Sequence, residues 1–197
     1  MLIIIYILIL QVLKRGNKPP NDYSDEKMFL RAEKVYYQVE DTDTYTVDYV
    51  REKWQQERGE WLPLIMSEGN WNAACNPTVE KVQQMAGAVR TALVLRMGML
   101  KGQDYNIYYM FSSDSDWEKR VWKGNGNGYG MIDSDLRDSS TPSYNNPWYP
   151  YYVHEMIGKN LAVGDPIVET TPTSDDIRTL AWINDDKLNI LLINKGK

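Results

Sequence analysis

The sequence predicts an α/β region followed by the beginning of a β domain. Through residue 162, short apolar runs rich in β-branched or aromatic residues alternate with stretches of helical spacing, the pattern of βα units. From residue 163 the helical spacing stops and three strand-like runs follow one another: PIVETT, IRTLAWIN and LNILLINK. The chain has 197 residues, of which 43% are hydrophobic and 25% charged, a balance that reads as globular rather than disordered.

The chain opens on MLIIIYILIL, followed by Lys14 and Arg15. A membrane-crossing helix needs about 20 apolar residues, so residues 2–13 are too short to span. A signal peptide carries its positive charge before the apolar run rather than after it. The isoleucines at 3, 4, 5, 7 and 9 favour a strand with apolar residues on both faces, as in a parallel sheet. A signal or anchor, and an artefact of where the gene is taken to begin, stay open beside it. The compartment stays open as well, an extracellular one included.

A loop over 17–24 holds Pro19 and Pro20. Ser24 is a good helix cap with Asp25 and Glu26 in the first turn, and Phe29, Ala32, Val35, Tyr36 and Val39 then recur at helical spacing. Thr46 caps a second helix over 47–58 with Val47, Val50 and Trp54 on one face, and Gly59 is its stop. LPLIMS, residues 62–67, is a short strand. Asn76 and Pro77 then start a long helix over 79–101, whose stripe of Val82, Met85, Ala86, Val89, Leu93 and Leu100 reads as core packing. YNIYYMFSS, residues 105–113, is another strand. The run GNGNGYG, residues 124–130, has no strand feeding it and no helix after it, so it is no phosphate loop. PWYPYYVHEMIGKNLA holds another helix. Asn184, Asp185 and Asp186 turn the last two strands back on each other.

Composition narrows the function. The formal charge is −5 and no Lys/Arg cluster is long enough to track a phosphate backbone, so nucleic acid is a poor partner. Cys75 is the single cysteine, which excludes an internal disulfide framework and a cysteine-based zinc cluster. His154 is the single histidine; without a G-x-S-x-G signature it reads as a helix-surface or packing residue rather than a triad member. The aromatics are lopsided, with 14 Tyr and 7 Trp against 2 Phe. Flat rings with a hydrogen-bonding handle suit sugar rings, and they suit half-wet interfaces equally.

LPLIMSEGNW, residues 62–71, ends an apolar run on Glu68. A buried, unpaired carboxylate is costly, so Glu68 either reaches solvent or sits where chemistry wants it. The order here is strand, glutamate, long helix, aromatic strand, glycine-rich loop, helix, and then a β stretch reading LAW…LNILLINK. It resembles the C-terminal part of a clan A glycoside hydrolase, a retaining enzyme built as a (β/α)8 barrel with a β-sandwich attached. The resemblance covers residues 24–194. It implies a partial (β/α)8 (TIM) barrel, the last two or three βα units, over residues 1–162, and the start of a truncated β-sandwich over 163–197. LPLIMS would be strand seven, YNIYYMFSS strand eight, and LIIIYILIL would fall where strand six belongs.

The same resemblance maps Glu68 onto the clan's nucleophile. Asn70 and Trp71 would supply a hydrogen bond and a sugar-stacking face, with Trp117 a second stacking candidate; a hydrophobic anchor is the plainer reading of each tryptophan. The implied reaction is hydrolysis of an O-glycosidic bond with retention, on an oligosaccharide or polysaccharide, with no metal or organic cofactor. The clan's acid/base glutamate follows an asparagine on strand four, and this chain has no Asn-Glu dipeptide. Strands one to five are missing, the strand-six segment lacks the usual aromatic or histidine motif, and the sandwich ends after three strands. The chain is therefore expected to be inactive alone, and to associate with itself or with a complementary N-terminal half. A non-catalytic carbohydrate-binding or cell-surface protein is the alternative, and a structural protein anchored by residues 2–13 is a third.

Overall fold

The computed structural model describes residues 29, 32–33, 47–69, 85–108, 111, 131–132 and 146–196. The apolar segment 2–13, the proline loop and the glycine-rich run lie outside them.

Phe29 and Ala32 are helical and buried, as their spacing predicts. Helix α1 spans Val47–Arg58. It ends at Gly59, whose φ of 75° is cheap only for glycine and whose N–H reaches the Gln55 carbonyl at 2.8 Å. Most of α1 is exposed, with Val50 and Trp54 half-buried on its inner face. Arg51 fastens it by donating to the Lys101 carbonyl and by lying over the Trp61 ring at 5.1 Å.

Strand β1 is Ile65–Gly69. The predicted run begins at residue 62, and Leu62, Leu64 and Met66 are indeed buried at every second position. The regular ladder starts three residues later because its partner starts there. Strand β2, Tyr105–Tyr108, runs parallel to β1, with Ile65 opposite Tyr105 and Met66 opposite Asn106. Asp104 closes the start of the pair: its N–H donates to the Leu64 carbonyl at 2.9 Å and its carboxylate accepts from the Leu64 N–H at 2.7 Å.

Helix α2, Met85–Leu100, connects the two strands and makes a parallel βαβ unit. Its burial is wider than the stripe read from the sequence. Leu93 has no exposed surface and Thr91 through Leu95 are all buried, while Met85 and Leu100, the two end residues of α2, are exposed. The reason is that α2 is covered from several sides, by α3 and by the C-terminal strands, so a single stripe does not describe it. It stops at Gly102, φ 60°, where Gln103 N–H bonds the Gly98 carbonyl at 2.9 Å and Gly102 N–H bonds Met99 at 3.1 Å. That pair of bonds is a Schellman ending.

Helix α3 is Tyr149–Asn160, with Pro150 in its first turn. Three strands follow: β3 (Ile167–Val168), β4 (Ile177–Asn184) and β5 (Lys187–Asn194), in the order β3-β4-β5 and all antiparallel. Asp185 and Asp186 form the two-residue turn between β4 and β5, with φ of 48° and 58°. Positive φ at both centres is the hairpin turn that matches strand twist, and aspartate tolerates it. The inner face of this sheet, Leu180, Trp182, Leu191 and Ile193, belongs to one core cluster with Leu64, Met66, Leu93, Val153 and Ile157.

Three polar ties join the sheet to the rest. Arg96 of α2 donates to the Thr179 carbonyl at 2.8 Å. Trp182 Nε1 donates to the Asn160 carbonyl at the end of α3. Glu33 pairs with Arg178 on β4 and with Lys195 just after β5, the latter at 3.0 Å.

Candidate functional site

The predicted nucleophile position falls on β1. Met66 pairs with Asn106 and Gly69 with Tyr108, so Ser67 and Glu68 together oppose the single residue Ile107. One extra residue on one strand is a β-bulge, which bends the strand and re-aims what it carries; bulges gather at sheet rims and beside active sites. Because β1 and β2 are parallel, the bulge lies at the end where both strands finish. Of Glu68 the backbone position is described. Asn70, Trp71 and Trp117 lie outside the described residues, so the structure neither brings this set together nor separates it.

On the helix-covered face of β2 the structure holds a polar cluster that sequence reading misses. Arg90 of α2, Asn106 and Tyr108 of β2 and His154 of α3 surround a small cavity, with Thr91, Val94 and Leu95 completing its wall. Burial lowers the Arg90 guanidinium to about 10, and the Tyr108 phenol opposes that shift. Arg90 therefore remains a cation at neutral pH. His154 meets Tyr108 edge-on, ring centres 5.4 Å apart and planes at 79°. Burial pushes the His154 pKa down, so the neutral imidazole is the favoured form. Its Nε2 is buried with no hydrogen-bond partner among the described residues.

The cavity measures about 10 Å³, the lower limit for one water molecule and far too small for a sugar ring. The cluster is thus interior support under β2 rather than a substrate pocket. This agrees with the packing role read for His154. The signal that could have found Arg90 is in α2 itself: MAGAVRTALVLRMGML carries only Arg90 and Arg96 as charges in an otherwise apolar or small helix. An arginine in a largely buried helix must find partners inside.

Among the described residues no group of histidine, cysteine, aspartate or glutamate is placed to hold a metal ion. Among the same residues no helix is long and apolar enough to cross a membrane. No known family model matches this chain, and no curated protein matches it either.

Proposed function

We propose that this chain carries the nucleophile portion of a retaining glycoside hydrolase site, on part of a (β/α)8 barrel followed by the first strands of a β-sandwich. Glu68 is the attacking carboxylate, and Asn70, Trp71 and Trp117 line the sugar subsite. The observation that carries the reading is the backbone at Glu68, a bulge at the C-terminal end of a parallel strand inside a βαβ unit. Barrel enzymes place their catalytic side chains at that end of their strands. A second observation supports the barrel. Parallel sheets are normally covered on both faces, yet Tyr105 and Ile107, on the face of β2 turned away from the helices, are 65% and 53% exposed. Further strands would cover that face.

In this reading Glu68 attacks the anomeric carbon, the bond to the leaving oxygen breaks, and a covalent glycosyl-enzyme forms. Water then attacks the same carbon and releases Glu68 with net retention. The leaving oxygen needs a proton from a second carboxyl group about 5–5.5 Å from the first. Any turnover thus requires both.

A 2-deoxy-2-fluoro glycoside with a dinitrophenolate leaving group tests the nucleophile without the acid, because that leaving group departs unprotonated. Incubation with a panel of such sugars, followed by peptide mass mapping, is expected to place the adduct on Glu68 and to lose it in Glu68→Gln. An adduct elsewhere, or labelling that survives Glu68→Gln, refutes the assignment. Tight polysaccharide binding with no labelling would instead favour a non-catalytic carbohydrate-binding protein.

A further inference from the structure

The last strand of the C-terminal sheet is an open, apolar edge. In the order β3-β4-β5, β5 lies at the end and, among the described residues, pairs with β4 alone. The hairpin register decides which backbone groups are left over. Asn184 and Lys187 close the two-residue turn, so Lys187, Asn189, Leu191 and Ile193 turn their N–H and C=O groups to β4. Leu188, Ile190 and Leu192 turn theirs outward. The side chains of these same three residues are 60%, 54% and 67% exposed, while the alternating Leu191 and Ile193 are buried. Edge strands are ordinarily blunted by lysine, proline or an inward charge. Lys187 opens the strand and Lys195 follows it, but the stretch between them, LNILLIN (residues 188–194), holds no lysine, proline or charge.

We infer that β5 is an interface between two copies of this chain, paired antiparallel about a twofold axis at Ile190. The register follows from the sequence. With Ile190 opposite its own copy, Leu188 faces Leu192 of the second copy, and each of these positions exchanges two backbone hydrogen bonds. The exposed apolar side chains then lie in one stripe on one face. Asp185 at the turn comes opposite Lys195 of the second copy at both ends, a charge-complementary pair, although Lys195 also holds Glu33. A shift that puts Ile190 opposite Leu192 sets Lys187 against Lys195, like charge on like. The opposite shift sets Asp185 and Asp186 against Ile193 and Leu192. A one-residue slip turns the apolar stripe of one copy to the wrong face. The twofold closes the pair, and the result is one continuous sheet with the three strands of each copy. An edge contact of this kind sits at the small end of specific interfaces, below about 1,200 Å², so the dimer is a weak, concentration-dependent one.

Sedimentation velocity on the full chain over a concentration series tests this. A reversible monomer–dimer equilibrium is expected, and Ile190→Lys, which sets two ammonium groups together at the axis, should weaken it at least about tenfold. Far-UV circular dichroism checks that the variant keeps its fold. In a Cys75→Ser background, Ile190→Cys is expected to give a disulfide dimer under mild oxidation with copper phenanthroline. A hydrogen-bonded antiparallel pair holds its Cα atoms about 5.5 Å apart, within disulfide reach. Ile183→Cys, on β4 and also exposed, should give none. A monomer at every concentration, a dimer unmoved by Ile190→Lys, open-ended oligomers, or equal cross-linking of the two cysteine variants would each overturn the inference.

Discussion

Trp182 is where the C-terminal sheet meets the helices, and two substitutions there separate its two contributions. The residue is 4% exposed on β4, its ring lies in the shared core, and its Nε1 donates to the Asn160 carbonyl. A buried tryptophan removes about 150–250 Å² from water, which at about 25 cal/mol per Å² is about 4–6 kcal/mol. Relaxation recovers part of that, so Trp182→Ala should cost about 3–5 kcal/mol. Trp182→Phe keeps most of the ring and loses the donor. Asn160 is exposed, so its carbonyl regains water and the cost falls to the net value of one hydrogen bond, about 1–1.5 kcal/mol. In a protein of this size each kcal/mol moves Tm by about 2–4 °C, so alanine should lower it by about 6–20 °C and phenylalanine by about 2–6 °C. Urea unfolding followed by far-UV circular dichroism measures both. If the two variants cost the same, or if alanine costs less than about 1 kcal/mol, the Trp182 ring does not fasten the sheet to α3.

Three further expectations concern individual residues. Glu33→Gln strands two partly buried cations, Arg178 and Lys195, and should cost about 1.5–3 kcal/mol; a loss under about 0.5 kcal/mol would make the pair an ordinary surface one. His154 has a folded-state pKa below its unfolded value of about 6.5. The unfolded chain therefore binds the proton first, so this contribution is intact above about pH 6.5 and is lost as pH falls below it. Urea midpoints measured on both sides of that pH should show the loss, and His154→Gln should remove that part of the slope. Trp71→Ala and Trp117→Ala should lower oligosaccharide affinity in calorimetric titration while leaving Tm nearly unchanged; a large Tm drop with unchanged affinity would make them hydrophobic anchors.

What the sequence reveals and what it hides have physical reasons. Helix α1 and its glycine stop are local matters of capping and backbone conformation, and the structure has both at Arg58 and Gly59. The β4–β5 hairpin is equally local: alternating runs around two aspartates admit few other pairings. The burial of α2 departs from its sequence pattern because it is not local. Which sides of a helix are covered depends on α3 and on strands some 80–100 residues later in the chain, and apolar residues on every side leave no single period to read. The Arg90–Tyr108–His154 cluster is hidden for the same reason, since its members sit on three elements that only folding brings together. The candidate site residues are a different case. A charge at the end of an apolar run singles out Glu68, whereas a bulge at Ser67–Glu68 is a backbone irregularity that no residue pattern announces.

The bulge has consequences only if the strand that carries it is held still. Catalytic groups need placement to about 0.5 Å, and β1 has just one ladder partner among the described residues. Among the described residues its other support is the helix-covered face. There Leu64 and Met66 share a core cluster with Leu93 of α2 and with Leu180 and Trp182 of β4. Asp104 clamps the start of the strand pair, and the Schellman ending of α2 fixes where Asp104 stands. The antiparallel sheet closes the far side of α2 and shares its core cluster with Leu64 and Met66, and the role proposed for Glu68 depends on that support. Loosening that sheet would be felt at the bulge as lost positional precision before it was felt as unfolding, because dense cores transmit small displacements rather than absorb them.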